Sequence, residues 1–425
     1  MTRRPINDCF LHDKDRLTHH EALELLDERL SAIVDVQEID AADGLDRILG
    51  SAIAAPINVP LHTNSAVDGY AFRHADMTGE ALPVSVQIAA GDISPPPLKE
   101  GHAARIFTGA PMPTGADTVA MQEDCRTENG GVILPARLKA GANCRLAGED
   151  VKEGETVLEA STRFDAADLA AISSLGISEI SVFKKLKVHY FSSGNELRSP
   201  TSHKKQLKPG EVFDANAPML RALSSKWPID LSMGRSLPDR FDEVKDALAQ
   251  SAESHDVIIT SGGASLGTED HMLAALDELG SRHMWQIAVK PGRPMMFGQI
   301  RKPGGQGDCF YFGLPGNPVA AFVCFLNYVR PALFKLAGGG FPRPTLFPMP
   351  AAFSVEKKKP DRLEFLRGQL VKRGDRAHSV LRFDRDGSGL ISSLRFADGF
   401  IVLDEDRTQL KEGEIVDYLP LTEFI

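Results

Sequence analysis

The chain has 425 residues, with 48 Lys and Arg against 58 Asp and Glu, and a formal net charge of -10. Its composition, 42% hydrophobic and 25% charged, is typical of a soluble globular protein with several domains, and a chain this long needs no disulfide or metal to stabilise its core. An acidic chain with 7% aromatic residues lacks the basic, aromatic surface of a nucleic-acid-binding protein. Any anionic ligand must therefore be held by a local cluster of donors.

The cysteines and the hydropathy pattern predict a cytoplasmic protein. The five cysteines form no C-x-x-C pair, which argues against a zinc ribbon and a disulfide framework. The first 16 residues, MTRRPINDCFLHDKDR, contain no apolar segment of the kind found in signal peptides. The longest apolar stretch, Val319 to Val329, is too short to cross a bilayer. We therefore expect no membrane partner.

The first half of the chain predicts two helical regions around a β-rich module. Thr18 followed by Glu21 is typical of a helix start, and a strand over 34–39 and a helix over 44–54 are expected next. Residues 61–150 carry short apolar runs separated by Gly and Pro, which indicates an all-β module. A helix over 164–176 then follows, with Asp165 as its cap.

Strands and helices alternate from residue 186 to residue 336. Apolar strands such as Val188–Phe191 and Val257–Thr260 alternate with helical segments, which predicts a mostly parallel, doubly wound α/β sheet. Ligands of such sheets bind at the carboxyl ends of the strands. The segment GGGFPRP (338–344) reads as a linker to a β-rich C-terminal region.

The segment TSGGASLGTED, Thr260 to Asp270, is the first candidate site. It follows a buried strand and precedes a helix, and its glycines allow several backbone N–H groups to point at one anion. The carboxylate of Asp270 beside such a nest suits a metal ion that also binds phosphate. A tight turn that requires small residues remains the alternative.

Three more segments follow strands at the same predicted edge. They are FSSGNEL (191–197), VKPGRP (289–294) and GLPGNP (313–318). The first supplies the acid Glu196, and the second supplies the cations Lys290 and Arg293, which suit an oxyanion or phosphate. Each could also be a solvated turn, but together they predict one cleft that binds an anion and a metal.

Two segments of the β module are ambiguous on their own. NSAVDGYA (64–71) and RIFTGAPMP (105–113) both read as turns. Asp68 has metal-binding or acid–base capacity, and Thr108 could donate a hydroxyl group to a ligand.

Eight motifs in order resemble the MoeA family of molybdopterin molybdenumtransferases, which includes the gephyrin E domain. They are NSAVDGYA, RIFTGAPMPTGADTVAMQED, AGEDV, FSSGNEL, TSGGASLGTEDH, VKPGRP, FGLPGNPVA and RLEFLRG, and the resemblance covers about residues 17–425. The resemblance implies that the enzyme inserts molybdate into adenylylated molybdopterin and releases AMP with the help of a divalent metal, usually magnesium. This is the last step of molybdenum cofactor biosynthesis.

The resemblance also implies the site residues. The catalytic residues it implies are Asp68, Thr108, Asp150, Glu196, Asp239, Asp270 and Lys290. Those implied to bind the substrate are Ser193, Gly194, Ser261, Gly262, Gly263, Ser265, Gly267, Pro291, Gly292, Arg293, Gly316, Asn317, Arg367 and Ser388. The metal ligands implied are Asp239, Asp270 and Glu196. The carboxylates hold the metal or nucleotide, the glycine turn cradles phosphate, and the cations neutralise phosphate or molybdate.

The architecture implied is an α/β plus β multidomain homodimer. A discontinuous helical domain (17–35 and 155–184) encloses a β-rich domain (36–154), and an α/β molybdopterin-binding domain resembling MogA and MoaB (185–337) and a C-terminal β domain (338–425) follow. Asp68, Thr108 and Asp150 would act from the partner subunit. Other partners expected are cofactor-synthesis proteins and recipient molybdoenzymes.

The sequence departs from the family pattern at two positions, and it leaves two rival functions open. Gln286 stands where many relatives have Lys, so one cation is expected to be missing, and His271 stands where Tyr is frequent. The rivals are a nucleotide pyrophosphatase that does not use molybdenum, and a non-catalytic molybdopterin carrier or scaffold.

Overall fold

The computed structural model describes residues 16–200, 207–262, 271–305, 307–373 and 377–424. The chain forms two compact units. Unit 1 comprises the described parts of Met1–Gln37, Asp46–Gly50 and Val182–Ile425, and unit 2 comprises Glu38–Leu45 and Ser51–Ser181.

The helices in chain order are α1 (His19–Arg29), α2 (Ala166–Ser174), α3 (Asn216–Leu223), α4 (Phe241–Ser254), α5 (His271–Leu279), α6 (Pro318–Cys324), α7 (Arg330–Leu336) and α8 (Ile391–Phe396). The strands up to residue 183 are β1 (Val36–Asp40), β2 (Ile53–Ala54), β3 (Asn64–Ser65), β4 (Gly69–Phe72), β5 (Leu82–Ile88), β6 (Ala103–Ile106), β7 (Thr118–Met121), β8 (Arg126–Glu128), β9 (Gly131–Ile133), β10 (Cys144–Arg145), β11 (Thr156–Leu158) and β12 (Glu179–Phe183).

The later strands belong to unit 1. They are β13 (Leu186–Ser192), β14 (Leu197–Arg198), β15 (Val212–Phe213), β16 (Ile229–Met233), β17 (Val257–Ser261), β18 (Gly280–Gln286), β19 (Val289–Lys290), β20 (Pro294–Arg301), β21 (Asp308–Leu314), β22 (Phe347–Pro350), β23 (Leu363–Arg373), β24 (Ala377–Arg382), β25 (Gly399–Leu403) and β26 (Ile415–Pro420).

The central sheet of unit 1 has the strand order β16-β13-β17-β21-β20-β18. The first four strands are parallel, and β20 and β18 continue the sheet in antiparallel pairs. Successive side chains of β13 face opposite sides: Tyr190 packs in the core that contains Leu220 of α3, and Phe191 packs in the core that contains Val244 of α4. Because helices cover both faces, the doubly wound α/β fold predicted from the sequence is confirmed.

A second sheet of unit 1 contains the C-terminal strands and one strand from the loop after β18. Its order is β19-β23-β25-β26-β22, with β24 paired to β23. Val289 and Lys290 pair in parallel with Leu363 and Glu364. The short strand β19 therefore brings Lys290 to the C-terminal sheet.

Unit 2 is built on a sheet of order β7-β4-β6-β5-β9-β8. The predicted β-rich module is present, and the predicted helix over 164–176 is present as α2. Asp165 caps α2 by accepting hydrogen bonds from the N–H groups of Ala167 and Asp168. The helix predicted over 44–54 is wrong. Asp46 has a φ of 63°, which a right-handed helix cannot accommodate, and Leu49 pairs with Val182 in a β-bridge.

A continuous helical segment, Pro318–Leu336, lies in the core of unit 1. It is 19 residues long because α6 and α7 are joined through a π-helical turn at Phe325–Val329. By length and composition it could cross a membrane, but 94% of its apolar window is buried inside the protein, as in a core helix. The apolar stretch considered from sequence is thus part of a longer helix.

Helix α1 is capped as predicted and packs on this core helix. Thr18 Oγ1 accepts a hydrogen bond from the N–H of Glu21 at 3.2 Å, and the carboxylate of Glu21 accepts one from the N–H of Thr18. Ala22 and Leu26 are buried. Lys335 Nζ lies 2.7 Å from Asp27 Oδ1, which holds α1 against the end of α7.

Acid should destabilise the packing of α1 on the core helix through His19. His19 Nδ1 lies 2.8 Å from the hydroxyl of Tyr328, and burial, aided by His20, lowers the pKa of His19 to about 4. An unfolded histidine has a pKa near 6.5, so the unfolded state binds this proton first as the pH falls. We expect stability to decline from pH 6.5 towards pH 4. The decline should be smaller in His19→Gln, whose amide oxygen can still accept from Tyr328, when urea unfolding is measured across this range. Equal pH dependence in both proteins would contradict the prediction.

Candidate active site

The turns that follow three parallel strands begin at one edge of the central sheet. Ser192, Ser261 and Leu314 end β13, β17 and β21 and are neighbours in register. The N–H of Ser193 donates to the carbonyl of Ser261 at 2.9 Å, and the N–H of Gly262 donates to the carbonyl of Leu314 at 3.1 Å. The sheet therefore brings these predicted segments together at its carboxyl edge.

Glycine allows these turns to approach one another closely. Gly262 has a φ of +90°, and a Cβ atom there would overlap the carbonyl oxygen of Ser193. A Cβ atom on Gly316 would lie 3.6 Å from the Cα of Gly262, and one on Gly389 would lie 3.9 Å from Oδ1 of Asn317. The turns after β13, β17 and β21 therefore lie against one another, and Gly389 lies near Asn317 at the start of α6.

Two carboxylates lie beside the first of these turns. The N–H of Asn195 donates to Oδ2 of Asp239 at 3.2 Å, and the N–H of Asp239 donates to Oδ1 of Asn195 at 3.3 Å. Glu196 is exposed and folds back over Gly194, where its carboxylate occupies the space that a Cβ atom would need. Asp239 and Glu196 are therefore carried by adjoining, mutually bonded loops.

The donor chemistry of these loops fits magnesium. Mg²⁺ prefers oxygen ligands and is commonly bound by one or two carboxylates together with substrate phosphates. Asp239 and Glu196 supply such oxygens. Within the described stretches there is no group of three or more acids, histidines or cysteines that would form a complete protein cage for a metal.

Lys290 contacts two acids of the C-terminal region. Its Nζ atom lies 3.3 Å from Asp386 Oδ2 and 3.5 Å from Glu364 Oε2. Burial alone would raise the pKa of Asp386, but Lys290, Arg382 and Arg367 outweigh it and lower that pKa. Three cations therefore act on the carboxylate of Asp386.

Ser388 and Arg367 join this cluster to the start of the core helix. The carbonyl of Ser388 accepts a hydrogen bond from the N–H of Val319 in α6 at 3.0 Å. Arg367 is buried and donates from Nε to Ser393 Oγ at 3.2 Å. The segment 386–389 therefore links the cation cluster to the start of α6.

The turn from Pro291 to Arg293 is fixed by packing against α6. Gly292 has a φ of +115°, and its carbonyl accepts a hydrogen bond from the thiol of Cys324 at 3.3 Å. Nε and Nη2 of Arg293 both donate to Oε1 of Gln286 at 3.2 Å. Gln286 therefore brings no charge of its own but orients the guanidinium group of Arg293.

Asp68 and Thr108 form a separate pair in unit 2. Oδ1 of Asp68 accepts hydrogen bonds from the N–H of Thr108 at 2.7 Å and from its hydroxyl at 2.8 Å. These two bonds lower the pKa of Asp68. Asp150 is exposed in the same unit, on the segment whose N–H donates to Val59 O.

The Asp68–Thr108 pair gives a direct prediction. Thr108→Val removes the hydroxyl donor but keeps the backbone donor, so the pKa of Asp68 should rise part of the way towards its ordinary value. The measurement is an NMR titration of the Asp68 carboxyl group. Thr108→Ser retains a hydroxyl and is the control, which should keep the pKa low. An unchanged pKa in the valine variant would show that the hydroxyl bond contributes nothing.

Comparison with known proteins identifies the family. Three family profiles match the chain: "MoeA N-terminal region (domain I and II)" over 17–176, "Probable molybdopterin binding domain" over 190–335 and "MoeA C-terminal region (domain IV)" over 350–421. A "Molybdopterin molybdenumtransferase" of Haemophilus influenzae is 34% identical over 96% of this chain and 100% of its own length.

The chain belongs to the MoeA family. It is thus an enzyme of molybdenum cofactor biosynthesis, as the resemblance implied. The "Molybdenum cofactor synthesis protein cinnamon" of Drosophila melanogaster is 32% identical over 95% of this chain and 66% of its own length. A crystal structure of a molybdopterin biosynthesis MoeA protein from Pyrococcus horikoshii OT3 matches with a TM-score of 0.81 and 26% identity, over 96% of this chain and 100% of that one.

Some of the residues expected in this MoeA family member cannot be placed. Gly263, Ser265, Gly267 and Asp270 lie outside the described residues. His271, the departure from Tyr, begins α5, and its ring lies 6.5 Å from that of Phe241.

A polar network that the sequence analysis missed lies beneath the glycine turns. Asp214 and Asn216 stand at the start of α3 and contact Ser192, Ser261 and the carbonyl of Gly316. The only local sign is the Asp-x-Asn spacing before the helix, which is a common helix-capping pattern. The partners are 22 to 100 residues away, so the pattern could not indicate them.

A cavity of about 570 Å³ lies elsewhere, between α4 and the edge of the central sheet. His189, Phe191, Arg235, Glu243 and His255 are among its lining residues, and none of the predicted site residues is.

Proposed function

We propose that the protein inserts molybdate into adenylylated molybdopterin and releases AMP with the assistance of a divalent metal. The observation that supports this best is that the turns at Ser193 and Gly262 lie together at the carboxyl edge, and that the segment 386–389 links the start of α6 to Lys290. The glycine turns would hold the phosphates of the adenylylated pterin, and the cation cluster would hold the molybdate that its dithiolene receives.

Each part of the edge has a proposed role. The turns that carry Ser193, Gly194, Ser261, Gly262 and Gly316 contact the phosphate oxygens. The cationic end holds molybdate through Lys290, Arg293, Arg367 and Ser388. Pro291 and Gly292 fix the position of Lys290, and Asn317 orients the start of α6.

Magnesium is the metal that this donor set suits. Asp239 and Glu196 would hold it, together with Asp270, and when bound it neutralises charge that develops on the phosphoanhydride. The protein's own residues bind and orient the two anions and keep them adjacent.

We further propose a cytoplasmic homodimer with the four domains predicted from the sequence. The partner subunit's Asp68, Thr108 and Asp150 would complete the site. Recipient molybdoenzymes and other cofactor-synthesis proteins would be its protein partners.

The test is release of AMP from adenylylated molybdopterin by the full chain. We expect release only when molybdate and magnesium are both supplied. Release without molybdate would favour the pyrophosphatase, and tight pterin binding without release would favour the carrier.

Asp239→Asn isolates the role of charge at this position. The amide oxygen can still accept from the N–H of Asn195, so the loops should stay in place while kcat falls on the order of a hundredfold. Asp242→Asn, which changes an exposed acid in the first turn of α4, is the matched control and should keep the wild-type rate. Wild-type turnover in Asp239→Asn would remove this residue from the proposed site.

A further inference from the structure

Three strand ends at the carboxyl edge converge on the start of α3. The hydroxyl of Ser192, which ends β13, donates to Oδ2 of Asp214. The amide Nδ2 of Asn216 lies 3.2 Å from Oγ of Ser261, which ends β17, and 2.8 Å from the carbonyl oxygen of Gly316, which follows β21.

Asp214 also holds Asn216 in place. Oδ1 of Asp214 accepts hydrogen bonds from the backbone N–H groups of Asn216 at 2.9 Å and Ala217 at 3.1 Å, so it caps α3 from within the chain. One carboxylate oxygen of Asp214 thus caps α3, and the other accepts the hydrogen bond from Ser192 of β13. We call Asp214 and Asn216 the clasp.

The orientation of the Asn216 amide follows from its partners. A carbonyl oxygen can only accept, so the group facing Gly316 must be the NH₂ group. Oδ1 of Asn216 then faces away, and it is buried without a hydrogen-bond partner among the residues described. Asn216 is only 6% exposed. An unpaired buried carbonyl costs free energy that an apolar side chain of similar size would avoid, which favours a role beyond packing.

We propose that Asn216 is a positioning residue of the active site and that the clasp sets the spacing of the turns after β13, β17 and β21. This inference rests on the proposed function, since these are the turns assigned to the phosphates of the adenylylated pterin. Asn216 acts through them: it donates to Ser261 and to the carbonyl of Gly316, which lie in the turns proposed to contact the ligand.

Asn216→Leu is the test variant because it keeps the size and removes both donors without adding charge. We expect the KM for adenylylated molybdopterin and the Kd for AMP, measured by calorimetry on the full chain, both to rise about 10- to 100-fold, since small displacements of binding groups have effects of this size. A loss of folded protein alone would lower the apparent kcat and leave both constants unchanged.

Two further variants keep the test decisive. Ser192→Ala removes the bond at the other end of the clasp and should raise the same constants by a smaller factor. Ser224→Ala is the matched control: it removes a buried hydroxyl at the far end of α3, which bonds only to carbonyls of that helix, and both constants should stay at wild-type values. Wild-type constants in Asn216→Leu would overturn the proposal.

Hydrogen–deuterium exchange separates this inference from the proposed function. The N–H groups of Ser193 and Gly262 bond across the turns, to Ser261 and Leu314. They should exchange faster in Asn216→Leu than in the wild type or Ser224→Ala. If the wild-type chain released no AMP, the proposed function would fail, and exchange alone would decide the role of the clasp. Exchange rates in Asn216→Leu equal to those of the wild type would refute the positioning role of the clasp.

Discussion

Replacing Lys290 with methionine is expected to raise the KM for molybdate on the order of a hundredfold. The substitution keeps most of the apolar stem and removes the charge that lies 3.3 Å from Asp386 and 3.5 Å from Glu364. Without this positive charge, the carboxylates of Asp386 and Glu364 would repel the incoming molybdate dianion more strongly. Two unit charges about 4 Å apart near a protein surface interact by about 4 kcal/mol before solvation costs. Steady-state kinetics with varied molybdate provides the measurement.

Asp386→Asn should act in the opposite direction. It removes one negative charge from the same cluster and leaves Lys290 more available, so the KM for molybdate should fall roughly three- to tenfold. Opposite signs in the two variants are the mark of an electrostatic role. If both variants raised the KM equally, Lys290 and Asp386 would instead be acting as a structural ion pair.

Gly292→Ala should be the most destabilising of the substitutions considered. Its φ of +115° disfavours any side chain, and the new Cβ atom would lie 2.5 Å from the sulfur of Cys324, which is fully buried in α6. Backbone strain and overpacking together should lower the free energy of unfolding by about 2–5 kcal/mol. Urea unfolding followed by circular dichroism measures the loss.

Cys324→Ala separates the two contributions. Alone it should cost about 1 kcal/mol or more, because it leaves a small cavity. Combined with Gly292→Ala it makes room for the new methyl group, so the double variant should be more stable than the sum of the two losses predicts. Additive losses would mean that strain at φ, rather than contact with the sulfur, accounts for the whole effect.

Local patterns in the sequence predicted the first helix and the strands of the central sheet. The capping box of Thr18 and Glu21 involves residues three apart, and the strands of the central sheet are short apolar runs. The helix expected over 44–54 failed because its apolar residues, Ile48 and Leu49, are buried by distant segments while Asp46 takes a left-handed conformation. Tertiary contacts there outweigh helical propensity.

The sequence indicated the parts of the candidate site that follow strands, because parallel strands place their ends at one edge. It could not indicate that the ammonium group of Lys290 is shared between Glu364 and Asp386, which are 74 and 96 residues away. Nor could it show that Gln286 orients Arg293. Both depend on side-chain geometry that only the folded chain defines.

The docking of α1 has a consequence for synthesis on the ribosome. Its partner Tyr328 comes 309 residues after His19. At typical translation rates of 5–20 residues per second, this helix waits roughly 15–60 s for that partner. Most of unit 2, residues 51–181, is contiguous and emerges within that interval. The apolar side chains of Leu23, Leu26 and Leu30 are therefore exposed on the nascent chain during this time. We expect chaperones to bind this segment and so to prevent aggregation.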